Sequence, residues 1–397
     1  MNNWRKCRIK DAVDLVSVKS EDLSLPYIAL DNIVSWDAQF IPSESATDGN
    51  SNECEPGDVL FGKLRPYLAK AFIPTVKSIC SPEFLVMRPN NDTHNKFMLY
   101  FFLSRSFIAY IRNQVAGTKM PRTKWSDLGS VSFMLPPLDE QEAIAEYLDK
   151  ECKKIGRNIE LLERKADVYK RLRRSLINRA VTRGLDPNAP LKPSGLRWNS
   201  HIPQNWQVGR IRNYFDFRNE KVSEIDFAPL SVTKNGVVPQ MDNVAKSMAE
   251  GNTRKKVCKD DFVVNSRSDR KGSCGTSPMD GSVSLIYIVL KPTQINPKFA
   301  DYYFRCNDWV EEFYRNGKGI VADLWTTNYS IMRNIEIALP PYIEQQQIAA
   351  YLDEKCGKID AVIEKISTQV ERLKELKRSL INEVITGKRA ITPASHD

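Results

Sequence analysis

Two stretches of this chain carry the same stripe of apolar positions. From Ile144 the apolar residues fall at Leu148, Cys152, Ile155, Ile159, Leu162, Ala166, Tyr169, Leu172 and Leu176, in steps of three or four that follow one face of an α-helix. The second stripe runs through Ile348, Leu352, Cys356, Ile359, Ile363, Ile366, Val370, Leu373, Leu376 and Leu380. Leu135 to Thr182 lies over Leu339 to Thr386 at a constant offset of 204 residues without a gap, and the shared residues include Leu-Pro-Pro, Glu-Gln, Tyr-Leu-Asp and Arg-Ser-Leu-Ile-Asn. The paired prolines and the acidic Asp139, Glu140 and Glu344 suit helix starts, where the dipole is positive. Gly184 and Gly387, followed by Pro187 and Pro393, suit the stops.

A narrow apolar stripe on so long a helix needs another long helix to cover it, and the chain supplies one of matching pattern. The pattern predicts an antiparallel coiled coil, each helix roughly 60 Å long at 1.5 Å per residue. A repeat near 200 residues is too long for a solenoid and indicates two copies of one large module.

Ahead of each helix lies a module with short strand-like runs, at Asp58 to Phe61, Phe84 to Arg88, Val131 to Leu135, Phe262 to Val264, Val283 to Leu290 and Ile335 to Leu339, separated by Gly, Pro, Asn and Ser clusters. An aromatic-rich helix is expected in each, Lys96 to Asn113 and Lys298 to Arg315. Lys96-Phe97, Tyr100, Phe102 and Gly117 match Lys298-Phe299, Tyr302, Phe304 and Gly319 at an offset of 202, as Trp4, Arg8 and Ile9 match Trp206, Arg210 and Ile211. The expected class is α+β, two β-rich modules separated by the two helices. The chain divides as a first module at 1–134, a helical region and linker at 135–195, a second module at 196–338 and a closing helical region at 339–397. Between their anchors the modules diverge, which suits two unlike recognition surfaces on one scaffold.

Composition narrows the chemistry. The apolar runs Phe97 to Phe102 and Ser284 to Leu290 are far too short to cross a bilayer and the amino terminus lacks a secretory pattern, so a cytoplasmic location is expected. Eight scattered cysteines with no Cys-x-x-Cys pair and only three histidines disfavour zinc and disulfide frameworks. The net charge of +9 makes a polyanionic partner a serious option.

No catalytic constellation emerges. Gly57 to Lys63 fits Gly-x-x-x-x-Gly-Lys, but Leu64 stands where a phosphate loop needs Ser or Thr, and Val59-Leu60-Phe61 reads as a strand. Leu339-Pro340-Pro341-Tyr342 lacks the polar first residue of an amino-methyltransferase motif and has its copy at Leu135-Pro136-Pro137-Leu138. His94, His201 and His396 have no obvious partners for proton transfer.

These residues reach a known family. Pro56 to Leu68 (PGDVLFGKLRPYL), the Leu-Pro-Pro helix starts with Glu140-Gln141 and Glu344-Gln345, the Arg-Ser-Leu-Ile-Asn ends, and Pro193-Ser194-Gly195-Leu196-Arg197-Trp198 leading to Ile202-Pro203 and Trp206 resemble the DNA-specificity subunit of type I restriction-modification systems over essentially the full length. Nothing like Pro193 to Pro203 precedes Trp4. The resemblance implies a non-catalytic subunit without a cofactor of its own, with two target-recognition domains that each read half of a split double-stranded DNA target. The helices would set the spacing and dock two modification (methyltransferase) subunits, which bring S-adenosylmethionine, and two restriction subunits that use ATP and magnesium would complete the complex.

The candidate DNA contacts are basic residues in loop-like settings. They are Lys63, Arg65, Lys70, Lys119, Arg122 and Lys124 in the first module, and Arg254, Lys255, Lys256, Arg267, Arg270, Lys271 and Lys318 in the second. Helix pairing and partner docking would rest on Ile144, Leu148, Ile155, Ile159, Leu162, Leu172 and Leu176, with Ile348, Leu352, Ile359, Ile363, Ile366, Leu373, Leu376 and Leu380. Two other classes remain open: an enzyme that modifies or cuts DNA unaided, and an assembly scaffold that makes no DNA contact.

Overall fold

A computed structural model of the chain describes residues 3–20, 22–43, 50–114, 120–240, 251, 253–319 and 325–391. Two helices dominate it, Leu138–Arg183 with 46 residues and Tyr342–Ile385 with 44. Gly184 and Gly387 follow them with φ of +78° and +68°, a left-handed turn that a β-carbon disfavours. The chain forms two compact units, Met1–Arg164 with Ile366–Asp397, and Lys165–Lys365. Each unit therefore holds the start of one long helix and the end of the other, and the chain-order divisions cut across the units.

Within each unit the two helix segments run antiparallel. In the first, Ile144, Leu148, Cys152 and Ile155 share a buried core with Leu380, Ile381, Val384 and Ile385, and Ile159 and Leu373 pack against it. In the second, Ile348, Leu352 and Cys356 are buried with Ala180 and Val181, and Leu176 and Ile177 pack alongside. Each fully buried Leu, Ile or Val among them contributes roughly 1.5–3 kcal/mol. Ile366 is buried, and Leu162, Ile359 and Ile363 are half-buried.

Two expected seam residues are displaced. Leu172 and Leu376 occupy equivalent positions, and both are exposed, at 50% and 55%. A helix of 3.6 residues per turn drifts against steps averaging 3.5, so by the end of the stripe the seam has moved one residue on. Arg173, half-buried, and Lys377, buried, take those places.

The four-stranded sheets of the two modules share one topology. In the first unit a four-stranded antiparallel sheet is ordered Val13–Val16, Phe84–Pro89, Val59–Gly62, Ala71–Phe72. In the second the order is Phe215–Arg218, Tyr287–Pro292, Phe262–Asn265, Cys274–Thr276. All four residues of Val59–Gly62 and of Phe262–Asn265 are buried, which explains why they read as continuous apolar runs rather than alternating ones. A three-stranded sheet accompanies each, Tyr27–Ile28, Ser78–Cys80 and Asn52–Cys54 in one and Lys221–Val222, Arg254–Val257 and Gly281–Ser284 in the other. Arg5–Arg8 pairs with Ser132–Leu135, and Gln207–Arg210 with Glu336–Leu339, so a two-stranded ribbon leads into each long helix.

Three expected elements are broken. Lys96 to Asn113 forms two helices, Asn95–Phe102 and Arg105–Gln114, divided where Ser104 Oγ donates to the Phe101 carbonyl. Lys298 to Arg315 likewise divides into Pro297–Phe304 and Asn307–Arg315. The run Val283 to Leu290 is two strands, Gly281–Ser284 and Tyr287–Pro292, because Leu285 and Ile286 form an exposed turn between them.

A buried glutamine fastens each long helix to its module. Gln141 Nε2 donates to the carbonyls of Pro136 (2.8 Å) and Asp92 (2.9 Å), and its Oε1 accepts the His94 N–H at 2.9 Å. Gln345 repeats this with the Pro340 carbonyl (3.0 Å) and the Asn296 N–H (2.8 Å). The tyrosine pair follows suit, Tyr100 donating to Asp149 at 2.7 Å and Tyr302 to Asp353 at 2.9 Å, with Lys96 and Lys298 on the same carboxylates.

Candidate nucleic-acid interface

The buried central strand of each module ends in a turn that meets the segment ahead of a short helix, Trp125–Gly129 in the first unit and Tyr329–Met332 in the second. In the first unit Lys63 donates its N–H to the Glu83 carbonyl at 2.7 Å and accepts from the Thr123 N–H at 3.0 Å. Leu64 bridges Arg122, and the Arg65 N–H reaches the Pro121 carbonyl at 2.8 Å. A 3-10 turn, Pro66–Leu68, follows, flanked by Arg65 and Ala69, both left-handed at φ 50° and 48°.

The second unit builds the same junction. Thr327 N–H donates to the Ser266 carbonyl at 2.9 Å, Arg267 bridges Thr326, and Lys318 exchanges backbone hydrogen bonds with Thr326 at 3.2 and 3.0 Å. Tyr314 O–H donates to the Asn265 carbonyl at 3.0 Å, and Thr327 Oγ1 to the Phe313 carbonyl at 3.0 Å. Thr123 and Thr327 are thus equivalent buried anchors. The residues around them differ: Lys63 stands opposite Ser266, Leu64 opposite Arg267, and Arg122 opposite Thr326.

The expected basic residues separate into three groups. Arg65, Lys124 and Lys318 are exposed and Lys63 is half-buried, and among the described residues none of the four forms an ion pair. Arg270, its side chain 70% exposed, lies 3.9 Å from Asp269. These cations are at liberty to meet phosphates or base edges.

A second group is tied to surface carboxylates: Arg122 to Glu83 at 2.9 Å, Arg267 to Asp269 at 3.0 Å, Lys271 to Glu311 at 2.6 Å and Lys256 to Glu220 at 3.0 Å. Such exposed pairs are weak enough for a polyanion to compete with them.

The third group does structural work. Lys70 Nζ donates to the Leu30 carbonyl at 2.7 Å, and Lys255 Nζ to the Tyr287 carbonyl at 2.8 Å while lying 5.4 Å from the centre of the Phe217 ring. Arg254 donates to Ser282 Oγ and its carbonyl at 2.8 and 3.0 Å. Burial lowers the pKa of all three, the mark of cations drawn partly out of water. Lys119 lies outside the described residues.

Two buried carboxylates brace the strands behind these junctions. Asp58, 2% exposed, receives Arg88 Nε and Nη2 at 2.8 and 2.9 Å, and Asp261, 1% exposed, receives Arg218 at 2.6 and 3.2 Å. Composition could not reveal these pairs, because acidic and basic residues are common everywhere. The Thr123 anchor was within reach of sequence, since the 204-residue offset extends back to Thr123 and Ser126 against Thr327 and Ser330.

Among the described residues no group of three or more His, Cys, Asp or Glu side chains could hold a metal ion. No described helix is long and apolar enough to cross a membrane.

Comparison with known proteins agrees with the geometry. A family model described as the type I restriction modification DNA specificity domain matches residues 37–165. The type I restriction enzyme EcoDI specificity subunit of Escherichia coli is 28% identical over 157 residues, 38% of this chain and 35% of that protein's length. The StySPI specificity subunit of Salmonella potsdam is 21% identical over 389 residues, 93% of this chain and 83% of the relative. A solved chain described with the complex assembly and conformational transition of the type I R-M system has the same fold, with a TM-score of 0.73 at 18% identity, over 98% of this chain and 99% of that one. Residues 37–165 thus match a type I restriction modification DNA specificity domain, and the chain is similar over most of its length to specificity subunits of type I restriction enzymes.

Proposed function

We propose that this chain is a non-catalytic, cytoplasmic DNA-reading subunit in which the modules at 1–134 and 196–338 each contact one half of a split double-stranded target. The observation that carries this reading is the junction at Thr123 and Thr327: an equivalent backbone frame holds Lys63, Leu64 and Arg122 in one unit and Ser266, Arg267 and Thr326 in the other. A retained frame with altered side chains is what two different base sequences require of one scaffold. Arg65, Lys124, Arg270 and Lys318 supply charge for phosphates, and Lys63, Arg122 and Arg267 stand nearest the junction.

The two long helices set the spacing between half-sites and dock two methyltransferase subunits. Each helix is uninterrupted, and each begins in one compact unit and ends in the other. Leu161, Val168, Leu172 and Leu376 leave exposed apolar surface on them for partner subunits. Methylation and cleavage fall to the modification and restriction subunits, two of each in the full complex.

Methylation mapping of a genome carrying the complete gene set tests the reading. A split, asymmetric motif is expected, and replacing the second module changes only one half of it. A continuous motif contradicts the reading, and purified chain that methylates or cuts DNA unaided would assign the chemistry to the chain itself.

A further inference from the structure

Arg173 and Lys377 are equivalent positions in the two helix copies, 204 residues apart, yet they bind different partners. Arg173 pairs with Asp360 on the other long helix at 2.9 Å. In the first unit the counterpart of Asp360 is Gly156, where an added β-carbon would meet nothing within 4 Å, so the missing carboxylate is not a matter of space. Lys377, only 8% exposed, instead binds Asp37, which belongs to a loop of the first module.

That loop is under backbone strain. Trp36 and Ala38, on either side of Asp37, are left-handed at φ 65° and 54°, a conformation disfavoured for residues with a β-carbon. Arg378 lies 5.0 Å from the centre of the Trp36 ring, and Trp36 and Ala38 pack against the core of the unit. The Trp36 N–H donates to the Ala69 carbonyl at 3.2 Å, while Lys70 Nζ holds the Leu30 carbonyl. Ala69 closes the 3-10 turn that Arg65 opens. Among the described residues, Trp36, Ala38, Arg65 and Ala69 are four of the five non-glycine residues with positive φ, the fifth being Asp260. The strain is concentrated along one connected path from Lys377 to Arg65.

We propose that Asp37 and Lys377 are positioning residues that pin the Trp36 to Ala38 loop on the closing helix and, through the Trp36 to Ala69 hydrogen bond, set the turn that presents Arg65 to DNA. The inference rests on the reading of that turn as part of the DNA interface. Removing the pin lets the loop relax out of its left-handed conformation, and the turn then loses its brace. At the equivalent position of the other helix, Arg173 pairs with Asp360, and among the described residues no loop carboxylate of the second module joins it.

The test uses the full chain, joined to its methyltransferase subunits, and a duplex bearing the motif found by methylation mapping. The variants are Lys377→Met, Asp37→Asn, the conservative Lys377→Arg, and Arg173→Met as the control at the equivalent position. Hydrogen exchange reads the loop directly: Trp36 and Leu68 amides exchange at least tenfold faster in Lys377→Met and Asp37→Asn, remain protected in Lys377→Arg, and are unaffected by Arg173→Met. Affinity for the duplex falls about tenfold in the first two variants, and a change in the first half-site no longer matters as much to them. Unchanged protection of Trp36 in folded Lys377→Met overturns the latch, whatever the DNA result. Loss of protection with unchanged affinity shows a latch without a recognition role, and removes the Arg65 turn from the interface as well.

Discussion

The indole Nε1 of Trp206 donates to Glu344 Oε1 at 3.0 Å, tying the start of the second module to the first turn of the closing helix. Asn205 Nδ2 adds a bond to Glu344 Oε2 at 2.8 Å. Trp4, the counterpart of Trp206, is buried, and its Nε1 has no hydrogen-bond partner among the described residues. Glu344→Ala therefore costs about 1–3 kcal/mol, the penalty for a buried donor left unpaired. Trp4→Phe removes an N–H that forms no such bond, and at that atom it is close to neutral. Urea denaturation of the two variants checks the contrast.

The buried carboxylates make a second contrast. Arg218 is 20% exposed over Asp261, whereas Arg88 is 50% exposed over Asp58. Removing Arg218 strands a carboxylate with little access to water, while water can approach Asp58 when Arg88 is lost. Arg218→Ala should destabilise by about 3 kcal/mol and Arg88→Ala by roughly 1 kcal/mol. Equal losses in a denaturant titration would contradict the difference in burial.

Neutralising different cations should give different signatures. Replacing Lys124, Arg270 or Lys318, which are free or nearly so, lowers the slope of log affinity against log salt by about one for each phosphate that is no longer neutralised. Lys70→Met and Lys255→Met leave carbonyls of Leu30 and Tyr287 without their ammonium donors. Those variants lose stability and keep the wild-type salt slope. Filter binding over a salt series separates the two groups.

Acid should weaken the first unit through His94. Burial lowers its pKa below the ordinary value, and its Nδ1 is buried with no partner among the described residues. The unfolded chain thus takes up a proton more readily than the folded one. Sign and window follow: stability is full above the unfolded pKa of about 6.5, and declines as pH falls below it toward the folded value. His94→Gln should flatten this part of the profile when denaturation midpoints at pH 7.5 and 5.5 are compared.

The long helices and their antiparallel pairing were legible because a stripe of 3.6-residue period, written twice, leaves few alternatives. Leu172 and Leu376 were misplaced because a seam read in fixed steps ignores helix drift over six or more turns. The central strands were legible as apolar runs, whereas the breaks at Ser104 and Cys306 depend on local hydrogen bonds that periodicity does not carry. Among the basic residues, loop position gathered the exposed Arg65, Lys124 and Lys318 together with Lys70, Arg254 and Lys255, whose side chains are taken up by carbonyls and a hydroxyl of their own module. Sequence does not show whether a cation has a carbonyl beside it.

The central claim, that the paired helices fix the distance between two half-sites, is tested by lengthening both rods. Seven residues, two full turns, inserted after Glu163 and at the facing position beside Lys374, whose side chains lie 3.9 Å apart, preserve the seam and add about 10 Å. Methylation mapping should then return the same two half-site sequences with a longer gap, by at most about three base pairs at 3.4 Å each. An active complex that methylates at the original gap would contradict the account.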